Sequence, residues 1–324
     1  MYTRHPLLML TIIASLATGL HAQPTPPAGA ATEIIIDTDI GDDIDDAFAI
    51  ALALQSPELH ILGFTPTFGD TATRARLLRR FLIDTGHAEI PVAAGPPTPN
   101  KLHMSQLRYA ERGPLPPPGA PDAVTFLSAQ IRAHPGQITL VAIGPLTTVE
   151  AMLDREPALF HQLKQVILMG GSVDRGYGLP FTDPADGFPH GPDAEWNIIN
   201  DIPGARKLLA SGVPVIVMPL DATQLPFDEL KRSLLFAHGS PLTDALTLLY
   251  HQWGQQTPTL FDAMTVAYLL QPQICPLVPI RLQVDDKGYT RREPGAPNAQ
   301  VCLHSDREAF FTLLLGRLLA PAAH

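Results

Sequence analysis

The feature that most constrains this chain is a crowd of carboxylates at the end of a short apolar run. Ile34-Ile35-Ile36 is followed by Asp37-Thr38-Asp39-Ile40-Gly41-Asp42-Asp43-Ile44-Asp45-Asp46, six aspartates within ten residues. The isoleucines read as a buried strand, because β-branched side chains fit a pleated, covered surface. From residue 43 to residue 54 the apolar spacing becomes helical, and it stops before Pro57. The acidic segment is thus a strand-to-helix turn. A helix N-terminus favours carboxylates, which accounts for Asp42 or Asp43 as a cap. It does not account for Asp37, Asp39, Asp45 and Asp46 together. Crowded carboxylates repel one another and take up protons unless a cation neutralises them. An oxygen-only donor set suits calcium or magnesium. The acidic spacing is not that of an EF-hand, and no glycine-rich phosphate loop is present.

The rest of the chain repeats the strand–helix alternation. Strand-like runs fall at residues 33–36, 59–65, 138–143, 165–169 and 213–218, and helical patterns at 71–85, 147–153, 203–210 and 242–253. This rhythm predicts an α/β fold: an open, mostly parallel, Rossmann-like sheet with helices on both faces. Residues 280–284 and 300–303 read as added strands, and 306–319 as a closing helix. Ligands of such sheets bind outside the carboxyl ends of the strands. Residues 95–121, 172–194 and 220–241 are too irregular for plain connectors and read as long lid loops over that rim.

Composition bounds the partners. The 324 residues are 45% hydrophobic and 17% charged, enough for a large core, and the net charge of −10 argues against nucleic-acid backbones. Arg4 and His5 precede an apolar run over residues 7–20, and small residues lead to Ala22. This pattern predicts a signal peptide over residues 1–22, hence a secreted or periplasmic protein with no membrane association after cleavage. Residues 23–32 are Pro/Ala-rich and read as a disordered mature N-terminus, leaving 33–324 as a single domain. The two cysteines, Cys275 and Cys302, flank a strand-turn-strand pattern. Either a disulfide or two buried thiols satisfies the sequence.

Several motifs then fall in a meaningful order. The apolar strand with Asp-x-Asp-x-Gly and Asp-Asp-Ala is followed by Phe68-Gly69-Asp70, by Val141-Ala142-Ile143-Gly144-Pro145-Leu146-Thr147, by Met169-Gly170-Gly171, by Glu195-Trp196-Asn197 and by Phe261-Asp262-Ala263. In this order they resemble the inosine-uridine-preferring nucleoside hydrolases, calcium-dependent N-ribohydrolases, over nearly the whole chain. The resemblance implies the nucleoside hydrolase fold, a small-molecule nucleoside or riboside as substrate, and self-association as a homo-oligomer. It implies Ca2+ held by Asp39, Asp46, Asp262 and the backbone carbonyl of Ile143, with Asp39 as the base that activates a calcium-bound water; because Asp42-Asp43-Ile44 lengthens the turn beyond the shortest family version, Asp42 or Asp43 is an alternative ligand. Asp45, Glu195 and Asn197 would bind the ribose, Asp37 would organise the metal loop from behind, and Asp70 would touch ribose where many members have Asn. Trp196 would line the pocket.

One departure matters for chemistry. Phe261 stands where purine- and pyrimidine-preferring members carry a His that helps protonate the leaving base, and a phenyl ring has no proton to give. His103, Tyr109, Arg112, His238 and Tyr250 are the candidates for that role. The interval 173–193 reads either as a lid that narrows the substrate range or as a loop with no part in catalysis. Two other classes fit parts of the pattern. A haloacid-dehalogenase-like phosphatase would explain the Asp-x-Asp after a strand but leaves Glu195-Trp196-Asn197 without a role. A non-catalytic ribosyl-ligand binding protein would explain the missing His but not a base among metal ligands.

Overall fold

The computed structural model describes residues 31–99, 104–178 and 191–320. Strand β1 (Thr32–Thr38) carries the three isoleucines and pairs in parallel with β2 (Leu59–Pro66) on one side and β3 (Thr139–Ala142) on the other. β4 (Gln165–Met169) and β5 (Val215–Met218) continue the parallel sheet. β6 (Leu277–Ile280) closes it by running antiparallel to the last strand, β9 (Ala299–Cys302). The seven strands lie in the order β2-β1-β3-β4-β5-β9-β6. The chain leaves β1 for β2 on one side and then crosses to β3 on the other. The carboxyl ends of β1 and β3 therefore flank a topological switch point, where connections diverge and leave a crevice.

Alternation along each strand sends side chains to two separate cores. Ile34, Ile36, Val141, Ile167 and Met218 face one; Ile35, Leu140, Val166, Leu168 and Val217 face the other. Both faces are covered, as a parallel sheet requires. Helix α1 (Asp45–Leu54) is buried from Asp45 through Ala53, with Phe48 edge-on to Phe227 at 5.2 Å. Burying Phe48, Ile50 and Leu52 contributes roughly 1.5–3 kcal/mol each. The two carboxylates in its first turn therefore ride on one of the most firmly seated elements of the molecule.

Residues from Ala31 onward form one compact unit, and β1 starts at Thr32, within the stretch read as disordered. The leader and the rest of that stretch lie outside the described residues. Among the described residues no helix is long and apolar enough to cross a membrane. The run 280–284, read as one strand, divides. β6 ends at Ile280, and β7 (Leu282–Val284) pairs instead with β8 (Thr290–Arg292) in a separate hairpin. Apolar alternation continues across Arg281, so periodicity alone cannot show the change of partner. Residues 220–241, read as a loop, contain helices Leu220–Thr223 and Glu229–Phe236, the second capped by Asp228 on Lys231 N at 3.0 Å. A further helix, Ala123–Ala133, capped by Asp122 on Thr125 N, was not legible as a separate element. Cys275 and Cys302 are joined, with Cα atoms 5.7 Å apart, where the β6–β9 pairing sets Leu277 opposite Cys302.

Candidate active site

The turn after β1 is held by one buried cation. Arg74, on helix α2 (Thr71–Asp84), has a side chain only 1% exposed. Its Nε donates to the Phe68 carbonyl (2.8 Å), Nη1 to the carbonyls of Ile40 (2.9 Å) and Asp39, and Nη2 to Asp42 Oδ2 (2.6 Å). Phe68 takes φ +59°, the one non-glycine left-handed residue among those described, and so turns its carbonyl toward the guanidinium. The planar fork of five donors is what lets one side chain tie three carbonyls and a carboxylate together. Sequence reading passed over Arg74 as part of a basic helix. The signal was its register: positions 74, 77, 78 and 81 form the buried face of α2, so an arginine there needs buried acceptors.

Around this loop the carboxylates take distinct places. Thr38 Oγ1 donates to Asp46 and accepts from Ile40 N (3.1 Å). Thr65 Oγ1 donates to Asp37 Oδ2 (2.6 Å) beneath the loop, and burial pushes Asp37 up to about 7. Asp39 lies against the turn after β3, close enough that a Cβ on Gly144 would fall 2.8 Å from its backbone N and from its Oδ1. Only glycine permits that approach. Ile143, the residue before it, is buried in the core with its N–H on the Asp37 carbonyl (2.8 Å). Burial raises Asp39 to about 6, opposed by the Arg74 charge and by a hydrogen bond from Trp196.

Asp45, Asp46 and Asp262 converge: one carboxylate oxygen from each lies within 4.8 Å of the others, and all three are buried. Asp262 stands immediately before helix Ala263–Leu270, which packs on α1. Burial first, then repulsion from neighbouring carboxylates, Asp39 among them, holds all three well above the usual carboxylate range. Three buried, facing carboxylates with only oxygen donors fit a hard divalent cation. The trio differs from the expected ligand set: it includes Asp45, which sequence reading gave to ribose, while Asp39 stands beside it. Asp45 and Asp46 are consecutive first-turn residues of a buried helix, so their side chains leave it together.

These groups open into a cavity of about 300 Å³. It is lined by Asp39, Asp42, Asp43, Asp45, Asp46 and Asp262, by Glu195, Trp196 and Asn197, and by Phe261, as the sequence predicts, but also by Met169, Tyr177, Leu220, Trp253 and Gln255. Glu195 accepts from the backbone N–H of Gly171 (2.9 Å), Asn197 (3.0 Å) and Ile198 (3.1 Å), and burial raises it to about 7. Asn197 Nδ2 is anchored on the Met169 carbonyl (3.1 Å). Tyr177 Oη accepts from Trp196 N (2.9 Å), and its ring stands edge-on to Phe261 at 6.2 Å. No local motif marks Tyr177; it reaches the cavity by tertiary placement.

Other candidates are not brought here. Asp70 caps α2, accepting from Thr73 N (3.0 Å) and Thr73 Oγ1 (2.6 Å). These bonds hold its carboxyl below the usual range, and it is not among the residues that line the cavity. Tyr109 donates to Asp84 Oδ2 (2.7 Å), and Tyr250 to the Gln256 carbonyl (2.7 Å). Arg112 and His238 are exposed. None of these four is among the residues that line the cavity. His103 and most of the 173–193 interval lie outside the described residues.

Fold and crevice together define an α/β protein with three buried carboxylates at its switch point that could hold a metal ion. A profile of the inosine-uridine preferring nucleoside hydrolases matches residues 34–312. Pyrimidine-specific ribonucleoside hydrolase RihA of Citrobacter koseri is 32% identical over 323 residues, covering 89% of this chain and 98% of its own. A plant nucleoside hydrolase, the PpNRh1 enzyme, superposes with a TM-score of 0.77 at 25% identity over 90% of this chain and 99% of that one. A purine-preferring ribonucleoside hydrolase from Gardnerella vaginalis gives 0.70 at 23% identity over 89% and 99%. The chain belongs to the inosine-uridine preferring nucleoside hydrolase family and is a hydrolase acting on N-glycosyl bonds. The phosphatase and non-catalytic readings fall away.

Proposed function

We propose that this enzyme hydrolyses the N-glycosidic bond of ribonucleosides or related ribosides to ribose and free base, with Asp39 as general base and calcium as the resident ion. The observation that carries the reading is the buried Asp45–Asp46–Asp262 trio beside Asp39 in one cavity. Asp39, Asp46 and Asp262 would hold the ion, with the carbonyl of Ile143 as the backbone ligand, and Asp45 stands close enough to share it. A bound divalent cation supplies Lewis-acid polarisation of the attacking water and a grip on a vicinal diol. Asp39, in its ionised form, takes the proton that water loses. Asn197 and Glu195, fixed by their backbone bonds, orient the ribose. As the C–N bond breaks, positive charge develops on the sugar ring, and the surrounding carboxylates stabilise that state more than the neutral substrate. Burial of the site keeps bulk water away and strengthens those interactions.

The test is hydrolysis of a purine and pyrimidine nucleoside panel before and after chelation, with p-nitrophenyl riboside as control. Turnover should vanish on chelation and return with calcium. Turnover undiminished in thoroughly chelated enzyme would remove the ion from the reading. We further propose export, on the leader pattern of residues 1–22; N-terminal sequencing of the mature protein should begin at Gln23, and a retained leader would refute it.

A further inference from the structure

Every backbone carbonyl from Asp37 to Asp43 accepts a hydrogen bond from outside the acidic turn. Asp37 and Thr38 accept from Ile143 N and Thr67 N, both at 2.8 Å. Asp39 and Ile40 accept from Arg74. The next three go to two adjacent residues of a stretch that the sequence marks only as an irregular loop. Gly41 accepts from Gln106 N (3.0 Å), Asp42 from Ser105 Oγ (2.7 Å) and Asp43 from Gln106 Nε2 (2.7 Å). These carbonyls fall where the turn exceeds the shortest family version. Gln106 is fully buried. Gly41 takes φ +127°, and a Cβ there would fall 3.1 Å from Met104, so glycine lets the loop close on the turn. The loop is itself fastened to helix α2, which also carries Arg74. Arg76 donates to the carbonyls of Glu111 and Gly113, and Tyr109 Oη to Asp84. Tyr109 N donates to Gln252 Oε1 (3.0 Å) on helix Pro241–Trp253.

We propose that Ser105 and Gln106 are positioning residues that hold the lengthened acidic turn in its ion-binding shape and so set its affinity for calcium. The inference rests on the reading of calcium as the resident ion. Neither residue is among those that line the cavity, so both act through the turn. The physical reason is repulsion. Crowded carboxylates push apart when no cation lies between them, and a longer turn has more peptides free to rotate. A carbonyl fixed on an outside donor fixes its peptide plane, and consecutive fixed planes fix the directions in which the aspartate side chains leave the backbone. A site held in shape beforehand loses less of the binding free energy to ordering.

The experiment titrates calcium chloride into chelated, dialysed enzyme in a calorimeter. Gln106→Leu removes the donor to Asp43 and should raise the calcium Kd ~10-fold, the size of one lost buried hydrogen bond. Ser105→Ala should raise it ~3-fold, and Ser105→Thr, which keeps the hydroxyl, should restore the wild-type value. Asp122→Ala removes a helix cap remote in sequence from the turn and should leave the Kd within about twofold. At saturating calcium, kcat on p-nitrophenyl riboside should return to within about threefold of wild type in Gln106→Leu, since the defect lies in binding the ion. Should Gln106→Leu fail to fold, the Ser105→Ala and Ser105→Thr pair decides the matter. A Kd unmoved in the loop variants, an equal rise in Asp122→Ala, or a kcat that excess calcium does not restore would overturn the inference and leave calcium binding by the wild-type enzyme intact. Wild-type enzyme that takes up no calcium would overturn the ion reading as well.

Discussion

The two walls of the cavity were built in different ways. The acidic wall comes mostly from ten consecutive residues, 37–46, mounted on an interior strand and a helix buried from Asp45 through Ala53, and tied down by Arg74. The aromatic wall is gathered from Tyr177, Trp196, Trp253 and Phe261, which lie far apart in the chain and mostly follow loops. The first wall is positioned by the core; the second is positioned by hydrogen bonds between loops, such as Trp196 N to Tyr177 Oη at 2.9 Å. On the proposed reading, the chemistry that every N-riboside shares resides on the rigid side, and the side that would meet the leaving group is assembled from segments that tolerate change.

Substitutions can break or sharpen this contrast. The largest effect belongs to the acidic trio. Asp262→Ala should lower kcat/KM on the order of 10³-fold or more while circular dichroism stays native, since several kcal/mol of charge stabilisation is lost. A fall of less than tenfold would move the ion elsewhere. Arg74→Met should cost about 3 kcal/mol in urea unfolding, because three carbonyls and Asp42 lose a buried donor. A cost below about 1 kcal/mol would show that the loop holds itself.

Protonation supplies a third effect, with a definite sign. Burial raises Asp37 from 3.8 and Glu195 from 4.5, both to about 7, so between those values the folded state binds more protons than the unfolded one. Through these two groups, stability of the metal-free protein should fall as pH rises from about 4 to about 7. The trio shifts in the same direction, and calcium should restore the melting temperature chiefly at the upper end of that window. A melting temperature that climbs with pH in chelated protein would contradict the burial argument. The smallest effect is expected at Asp70. Asp70→Ala should cost about 1 kcal/mol through loss of a helix cap and leave KM within about twofold. A large rise in KM would return Asp70 to the ribose.

Sequence by itself determined the sheet, the acidic turn and its destination. A β-branched run ending in carboxylates reads as a buried strand delivering charge to a rim, and the alternation of elements predicts a mostly parallel sheet. Glu195, Asn197 and Asp262 were legible because short motifs in a fixed order carry them. Tertiary structure alone decided which side chains meet. It gave Asp45 to the trio, gave Asp70 to a helix cap, placed Arg74 under the loop and brought Tyr177 beside Phe261. It also split residues 280–284 between two sheets. The physical reason is range. Periodicity and caps report interactions within a few residues, whereas the ion group, the arginine clamp and the aromatic contact join residues tens to hundreds of positions apart, and their geometry exists only once the sheet has folded.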